Sequence, residues 1–320
     1  MAQSFFPIDP VDVTPIEGSW QDIDCTPHIP VGSTGVLLHL VGNTFLTINI
    51  ALRKKGGSGP GSEQLYHNNN HCWTGIGVDA NRVFQAYIAD DKLKIWLVAY
   101  TMAGVTWLTD AVDKSPTADS AWHDVDCSIE APGAIGLIFQ ITSTVSVAEV
   151  FGIRKKGSTD AHWSKVTYNS CMGAMTGCDA NQVCQILRQS TNIGVYLIGY
   201  VTDGATFNTN ATDLSLGATG AWTDLAALPA GSCMGFIHVH TPANELSYGL
   251  RKNTSAEDIQ GDTHDQTWAY VECDASQIIE GIIETTIVDF FLMGYAEGPA
   301  APPAAAMPWN LAPRMAMMMG

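Results

Sequence analysis

Leu52-Arg53-Lys54-Lys55-Gly56 decides how this chain is read, because it returns as Ile153-Arg154-Lys155-Lys156-Gly157 and again as Leu250-Arg251-Lys252-Asn253. Other landmarks surround each copy in the same order. Upstream stands a Trp-x-Asp: Trp20 with Asp22, Trp122 with Asp124, Trp222 with Asp224. Downstream come Asp79-Ala80-Asn81, Asp179-Ala180-Asn181 and Asp274-Ala275-Ser276, then an apolar run closing on Tyr100, Tyr200 or Tyr295. Four landmarks in one order, three times, identify a tandem triplication. Each unit is long enough to hold a core of its own, unlike the short units of a solenoid.

Within each unit the apolar residues fall in short runs rich in β-branched and aromatic side chains. Gly35 to Val41, Phe45 to Leu52 and Leu93 to Tyr100 show this in the first, bounded by Gly, Asn, Asp and Pro. Ala134 to Ile141 and Met234 to His240 take the place of Gly35 to Val41 in the second and third. No stretch keeps a helical period over three turns. The expected fold is all-β: three tandem β-sandwich domains of jelly-roll-like design with extended terminal arms. The bounds read as an N-terminal arm over 1–18, where Pro7, Pro10 and Pro15 forbid helix, and a first sandwich over 19–100. A second follows over 101–200 with its core at 121–200, and a third over 201–295 with its core at 221–295. An Ala/Pro/Met-rich arm closes the chain over 296–320. The segments after Tyr100 and Tyr200 also pair with each other, Gly104 to Leu108 answering Gly204 to Asn208, as a first strand of the following unit, with the Pro-rich 1–18 as its counterpart in the first.

Composition narrows the function. Charged residues make up only 15% of the 320, and the net charge is −17, so nucleic acid is not an expected partner. Such a poorly charged surface suits a subunit packed against neighbours. The start of the chain lacks the basic and apolar regions of a signal peptide, and no 18-residue apolar run occurs, so neither secretion nor a spanning helix is expected. Eight of the 15 basic residues sit in the three repeats of the basic motif: Arg53, Lys54, Lys55, Arg154, Lys155, Lys156, Arg251 and Lys252. They read either as solvated strand ends or as a recurring patch for an acidic partner, with the Asp of Trp-x-Asp a local alternative.

No catalytic signature appears. The matched residues are Trp, Asp, Arg, Lys, Gly and Tyr, without a matched His or Ser, and nucleophile-elbow, phosphate-loop and zinc-protease motifs are missing. The matched Asp79, Asp179 and Asp274 suit turn capping. His238 and His240 share a strand face but lack a third ligand, so no metal or cofactor is expected. The three tryptophans are expected to be buried packing anchors. Cys25 with Cys72, and Cys127 with Cys171, read as equivalent pairs that the third unit lacks; two disulfides or four buried thiols both account for this. The final segment carries Trp309, Leu311, Met315, Met317, Met318 and Met319 with one charge, Arg314, and is expected to dock on another polypeptide.

Trp122 to Asp126, Phe151 to Asp160, Cys178 to Gln185 and Val195 to Tyr200, with their counterparts, resemble repeat modules in virion accessory proteins of tailed bacteriophages, of the head decoration, head fibre and tail fibre types. The resemblance implies a β-sandwich virion protein without enzymatic activity. Its partners would be the major capsid protein, other virion subunits or further copies of itself. A capsid decoration (cement) role is the first expectation. A fibre or receptor-binding role, with the repeats gripping host surface glycan, is the alternative.

Overall fold

The computed structural model describes residues 3–42, 48–58, 63–65, 70–143, 149–162, 164–166, 171–241, 246–263 and 266–298. Among them there is no helix. Repeat one supplies β1 (Phe5–Asp12), β2 (Gln21–Asp24), β3 (Gly35–Gly42), β4 (Ile48–Lys54), β5 (Glu63–Leu65), β6 (His71–Gly77), β7 (Val83–Ile88) and β8 (Leu93–Thr101). Repeat two supplies β9 (Val105–Asp113), β10 (Trp122–Asp126), β11 (Gly136–Ser143), β12 (Glu149–Lys155), β13 (Ser164–Val166), β14 (Cys171–Gly177), β15 (Val183–Arg188) and β16 (Ile193–Val201). Repeat three supplies β17 (Ala205–Asp213), β18 (Thr223–Asp224), β19 (Ser232–His240), β20 (Leu246–Lys252), β21 (Gly261–Thr263), β22 (Gln266–Glu272), β23 (Ile279–Ile283) and β24 (Asp289–Glu297).

Each set of eight forms two antiparallel four-stranded sheets. In repeat one these are β1-β8-β3-β6 and β2-β7-β4-β5, and the other two repeats have the same order position for position. This two-sheet, eight-strand plan is the jelly roll. One boundary differs from the sequence reading. Within the extended stretch 1–18, residues 5–12 belong to the first sandwich: β1 pairs with β8, the place that β9 takes on β16 and β17 on β24. Its prolines are tolerated because β1 is an edge strand, where an N–H can be forgone.

Burial patterns show how the sandwiches meet. Strand β8 alternates strictly, with Leu93, Ile95, Leu97 and Ala99 inward, as a half-solvated strand should. In β3 and β6, however, nearly every residue is buried, so both faces of those strands are covered. The second cover is the neighbouring repeat. Strands β6, β14 and β22 lie against one another, and a Cβ added to Gly173 of β14 would fall 2.7 Å from the Thr74 Cα of β6. The three sandwiches therefore close into a ring around a pseudo-threefold axis. At one point on that axis Ser4, Gly104 and Gly204 meet: a Cβ on Gly104 or Gly204 would lie 2.1 or 2.4 Å from Ser4 Oγ. Both glycines have positive φ, which a side chain would strain as well as obstruct.

Candidate interaction surface and repeat junctions

The signature residues come together on the outer sheet of each sandwich. Strand register sets Trp20, Tyr87 and Ala51 in one row, then Trp122, Leu187 and Gly152, then Trp222, Ile282 and Gly249. The small residue ending each row leaves room for the edge of the indole; a Cβ at Gly249 would meet Trp222 Cη2 at 2.6 Å. The basic-motif arginine then stacks on one face of the indole, with guanidinium-to-ring distances of 4.1, 4.1 and 4.0 Å for Arg53, Arg154 and Arg251. These tryptophans are consequently not buried anchors: Trp20 is 40% exposed, and Trp122 and Trp222 are half-buried. Their location beside a short edge strand, outside the sandwich, is the reason.

The rest of the motif is a relay of hydrogen bonds. Arg53 Nε donates to Gln85 Oε1 at 2.8 Å, Gln85 Nε2 donates to Asp22 at 2.9 Å, and Lys55 reaches the same carboxylate at 2.5 Å. Arg154, Gln185, Asp124 and Lys156 repeat it at 2.9, 3.0 and 2.7 Å. Lys55 and Lys156 hold the Asp22 and Asp124 carboxyls below their ordinary range. In repeat three Arg251 bonds Glu280 at 2.7 Å, Asn253 bonds Asp274, and Asp224 is left exposed. Asp79, Asp179 and Asp274 cap turns, each accepting two backbone N–H bonds at 2.8–2.9 Å.

The middle lysine of each motif works between repeats. Lys54 Nζ donates to the Trp107 carbonyl at 3.0 Å, and Lys155 Nζ to the Phe207 carbonyl at 3.1 Å. Trp107 and Phe207 themselves plug the junctions. Trp107 lies on Gly35, Gly75 and Gly77, and Phe207 on Gly136 and Gly177; added Cβ atoms at these glycines would fall 2.1–2.6 Å from the two aromatic side chains. The loops after the basic motifs add bonds from Ser58 to Asp110 and from Ser158 to Asn210. All eight basic-motif cations are thus engaged within the chain. Lys54 and Lys155 reach across repeat junctions, and the other six are held within their own repeats.

The third junction, where repeat three meets repeat one, is built differently. Pro7 stands in the register position of Trp107 and Phe207, while Met234 and Glu272 replace the glycines of the notch. Lys252, lacking an aromatic strand to staple, pairs with Glu272 at 2.6 Å. The seam retains an open cavity of about 540 Å³ bounded by Gln3, Pro7, Cys233, Lys252 and Glu272, and a smaller one of about 50 Å³ beside Trp73 and Tyr270. Phe5 packs against Phe236 across the seam, with centroids 5.3 Å apart.

Near the axis the junctions carry buried polar groups. His39 Nε2 and His71 Nδ1 are 3.0 Å apart, His39 stacks on Trp73, and His71 packs against Tyr248 of repeat three. Gln140 and His238 occupy the position of His39. His238 bonds Gln266, which reaches the Phe151 carbonyl of repeat two at 3.0 Å. Burial holds His71 and His238 down to about 3, and His39 well below its ordinary value. His240 faces Asp289 at 3.5 Å, so the two strand-face histidines have separate partners. The one cluster of at least three potential ligands among the described residues, Glu17, Asp90 and Asp91, is largely exposed.

Cys25, Cys72 and Cys127 are free thiols, so the disulfide reading does not hold. Register also separates the supposed equivalents. Cys72 pairs opposite Leu40 and Met172 opposite Ile141, which aligns Cys171 with His71 rather than with Cys72. Tyr100, Tyr200 and Tyr295 are half-buried on the outward faces of their strands, Tyr100 stacked on Phe6 at 4.9 Å. Trp309, Leu311, Met315, Met317, Met318 and Met319 lie outside the described residues.

The fold and its junctions define a class: a single-chain, pseudo-threefold ring of three jelly rolls. The chain is similar to one in the atomic structure of Sulfolobus Turreted Icosahedral Virus, with 9% identity over 93% of this chain and 92% of that chain and a TM-score of 0.24. No family model and no curated protein matches it.

Proposed function

We propose that the chain is a non-enzymatic structural protein of a virion, acting as a decoration or cement protein on the outer surface of a phage head. The observation that carries this reading is the closed ring. One chain presents three like sandwiches around an axis, a shape suited to a threefold or local threefold position on a shell. Its conspicuous side chains support the same reading, since the repeated Trp, Arg, Asp and Lys brace sheets and junctions and no matched nucleophile or acid–base pair accompanies them. The partners proposed are the major capsid protein and neighbouring virion subunits, with the segment after residue 298 as docking arm. Antibody labelling of purified particles tests it. Label over the head surface is the expected result, and label confined to the tail would reject the cement role in favour of a fibre.

A further inference from the structure

We infer that the first repeat carries a cleft for a neutral saccharide, lined by Trp20, Tyr87 and Asn49. The cleft lies on the outer sheet of repeat one, has a volume of about 320 Å³, and is completed by Gly18, Ser19 and Ala51. That volume is at the lower end for small-ligand sites, room for a single sugar ring. Trp20 and Tyr87 have centroids 6.2 Å apart, inclined at 44°, and Trp20 is the most exposed of the three signature indoles.

Comparison among the repeats isolates the feature. In the row that reads Trp20, Tyr87 and Ala51, the middle position is Leu187 in repeat two and Ile282 in repeat three, 5% and 9% exposed. Asn49, two residues before Ala51 on β4, is answered by Val150 and Ser247. In repeat three the indole N–H is also occupied, donating to Asp258 at 3.0 Å. The fold is therefore built equally well with an aliphatic residue in the middle of the row. An aromatic ring and an amide appear together in one repeat, and there the surface is open.

The residue types select the ligand class. A pyranose offers a face of C–H bonds, which stacks on an aromatic ring, and a rim of hydroxyls, which need paired donors and acceptors. Trp20 and Tyr87 supply rings; the Asn49 amide, the Ser19 hydroxyl and the Tyr87 hydroxyl supply the rim. No charged side chain lines the cleft, and Arg53 alongside is already held by Gln85 and the indole. A neutral sugar is thus favoured over an acidic one.

The test uses the whole chain labelled with ¹⁵N-tryptophan, with the Trp20 indole resonance assigned through Trp20→Phe. Methyl glycosides of glucose, galactose, mannose, N-acetylglucosamine and N-acetylgalactosamine are titrated singly, with methyl glucuronide as the acidic comparison. The inference expects at least one neutral glycoside to shift the Trp20 resonance saturably, leaving Trp122 and Trp222 unmoved. Tyr87→Leu and Asn49→Val, which install the residues of repeat two, should each weaken binding at least tenfold without altering the other indole resonances. Absence of any saturable Trp20 shift, preference for the glucuronide, or unchanged binding by the double variant would overturn it.

Discussion

Replacing Gly35 by alanine asks whether the glycine notch exists to seat Trp107. Gly35 does not have a left-handed φ, so alanine meets no backbone penalty there, but its Cβ would fall 2.1 Å from Trp107 Nε1. Such overpacking costs roughly 1–3 kcal/mol. Trp107→Ala removes a ring that is 4% exposed and breaks its 2.9 Å bond to the Thr101 hydroxyl, and truncation of a buried aromatic costs about 3–5 kcal/mol. In the double variant the new methyl enters space that the indole has vacated, so the Gly35→Ala penalty should largely vanish. The expected coupling is about 1–3 kcal/mol, in the range for residues in direct contact. Amide exchange on β3 and β9 reads the local opening free energy at this junction, which bulk unfolding of three linked sandwiches would blur. Equal penalties for Gly35→Ala with and without Trp107 would refute the plug-and-notch account.

Three further outcomes follow from the same geometry. His39, His71 and His238 have folded pKa values below the ordinary 6.5, so the unfolded chain binds the extra protons. Stability should be full above about pH 6.5 and fall toward pH 3, by up to about 1.4 kcal/mol per pH unit for each imidazole; melting curves at stepped pH would show it, and His39→Gln, the residue of repeat two, should flatten the slope. Lys155→Met deletes the charged bond to the Phe207 carbonyl and should weaken the junction between repeats two and three by about 1–2 kcal/mol, seen as faster exchange in β17 with β1 unchanged. Alkylation of the unfolded, unreduced protein should modify Cys25, Cys72 and Cys127 quantitatively, as peptide mass analysis would report.

The triplication, the all-β class and the turn role of Asp79, Asp179 and Asp274 were legible because each leaves a local signature: a repeated word, a run length, an Asx position before a turn. The ring was not, since it depends on which face of each sheet meets a neighbour. A trace of it was present in Gly35 to Val41, a run too continuously apolar for a strand with one wet face. Burial of Trp20 was misjudged because ring size predicts packing but not whether the packing lies inside the sandwich or on its outer sheet. The cysteine equivalence failed by one residue: Asp79 and Asp179 stand 100 residues apart, which matches Cys72 with Met172 and not with Cys171. The first strand was legible through its counterparts after Tyr100 and Tyr200, but its paired position on β8 is visible only once the edge of the sheet is known.

Joining the three sandwiches through the short turns at Gly104 and Gly204 has a consequence for stoichiometry. A ring assembled from separate subunits falls apart on dilution, whereas this one keeps its three parts at a fixed local concentration however dilute the solution. It also frees each third to diverge, as the seam at Pro7 and the row at Tyr87 have done. A chain of this kind seated on a true threefold would sit in any of three unequal orientations. Imposed symmetry would then average Trp107, Phe207 and Pro7 into one blurred density, and only a reconstruction free of that averaging would tell them apart.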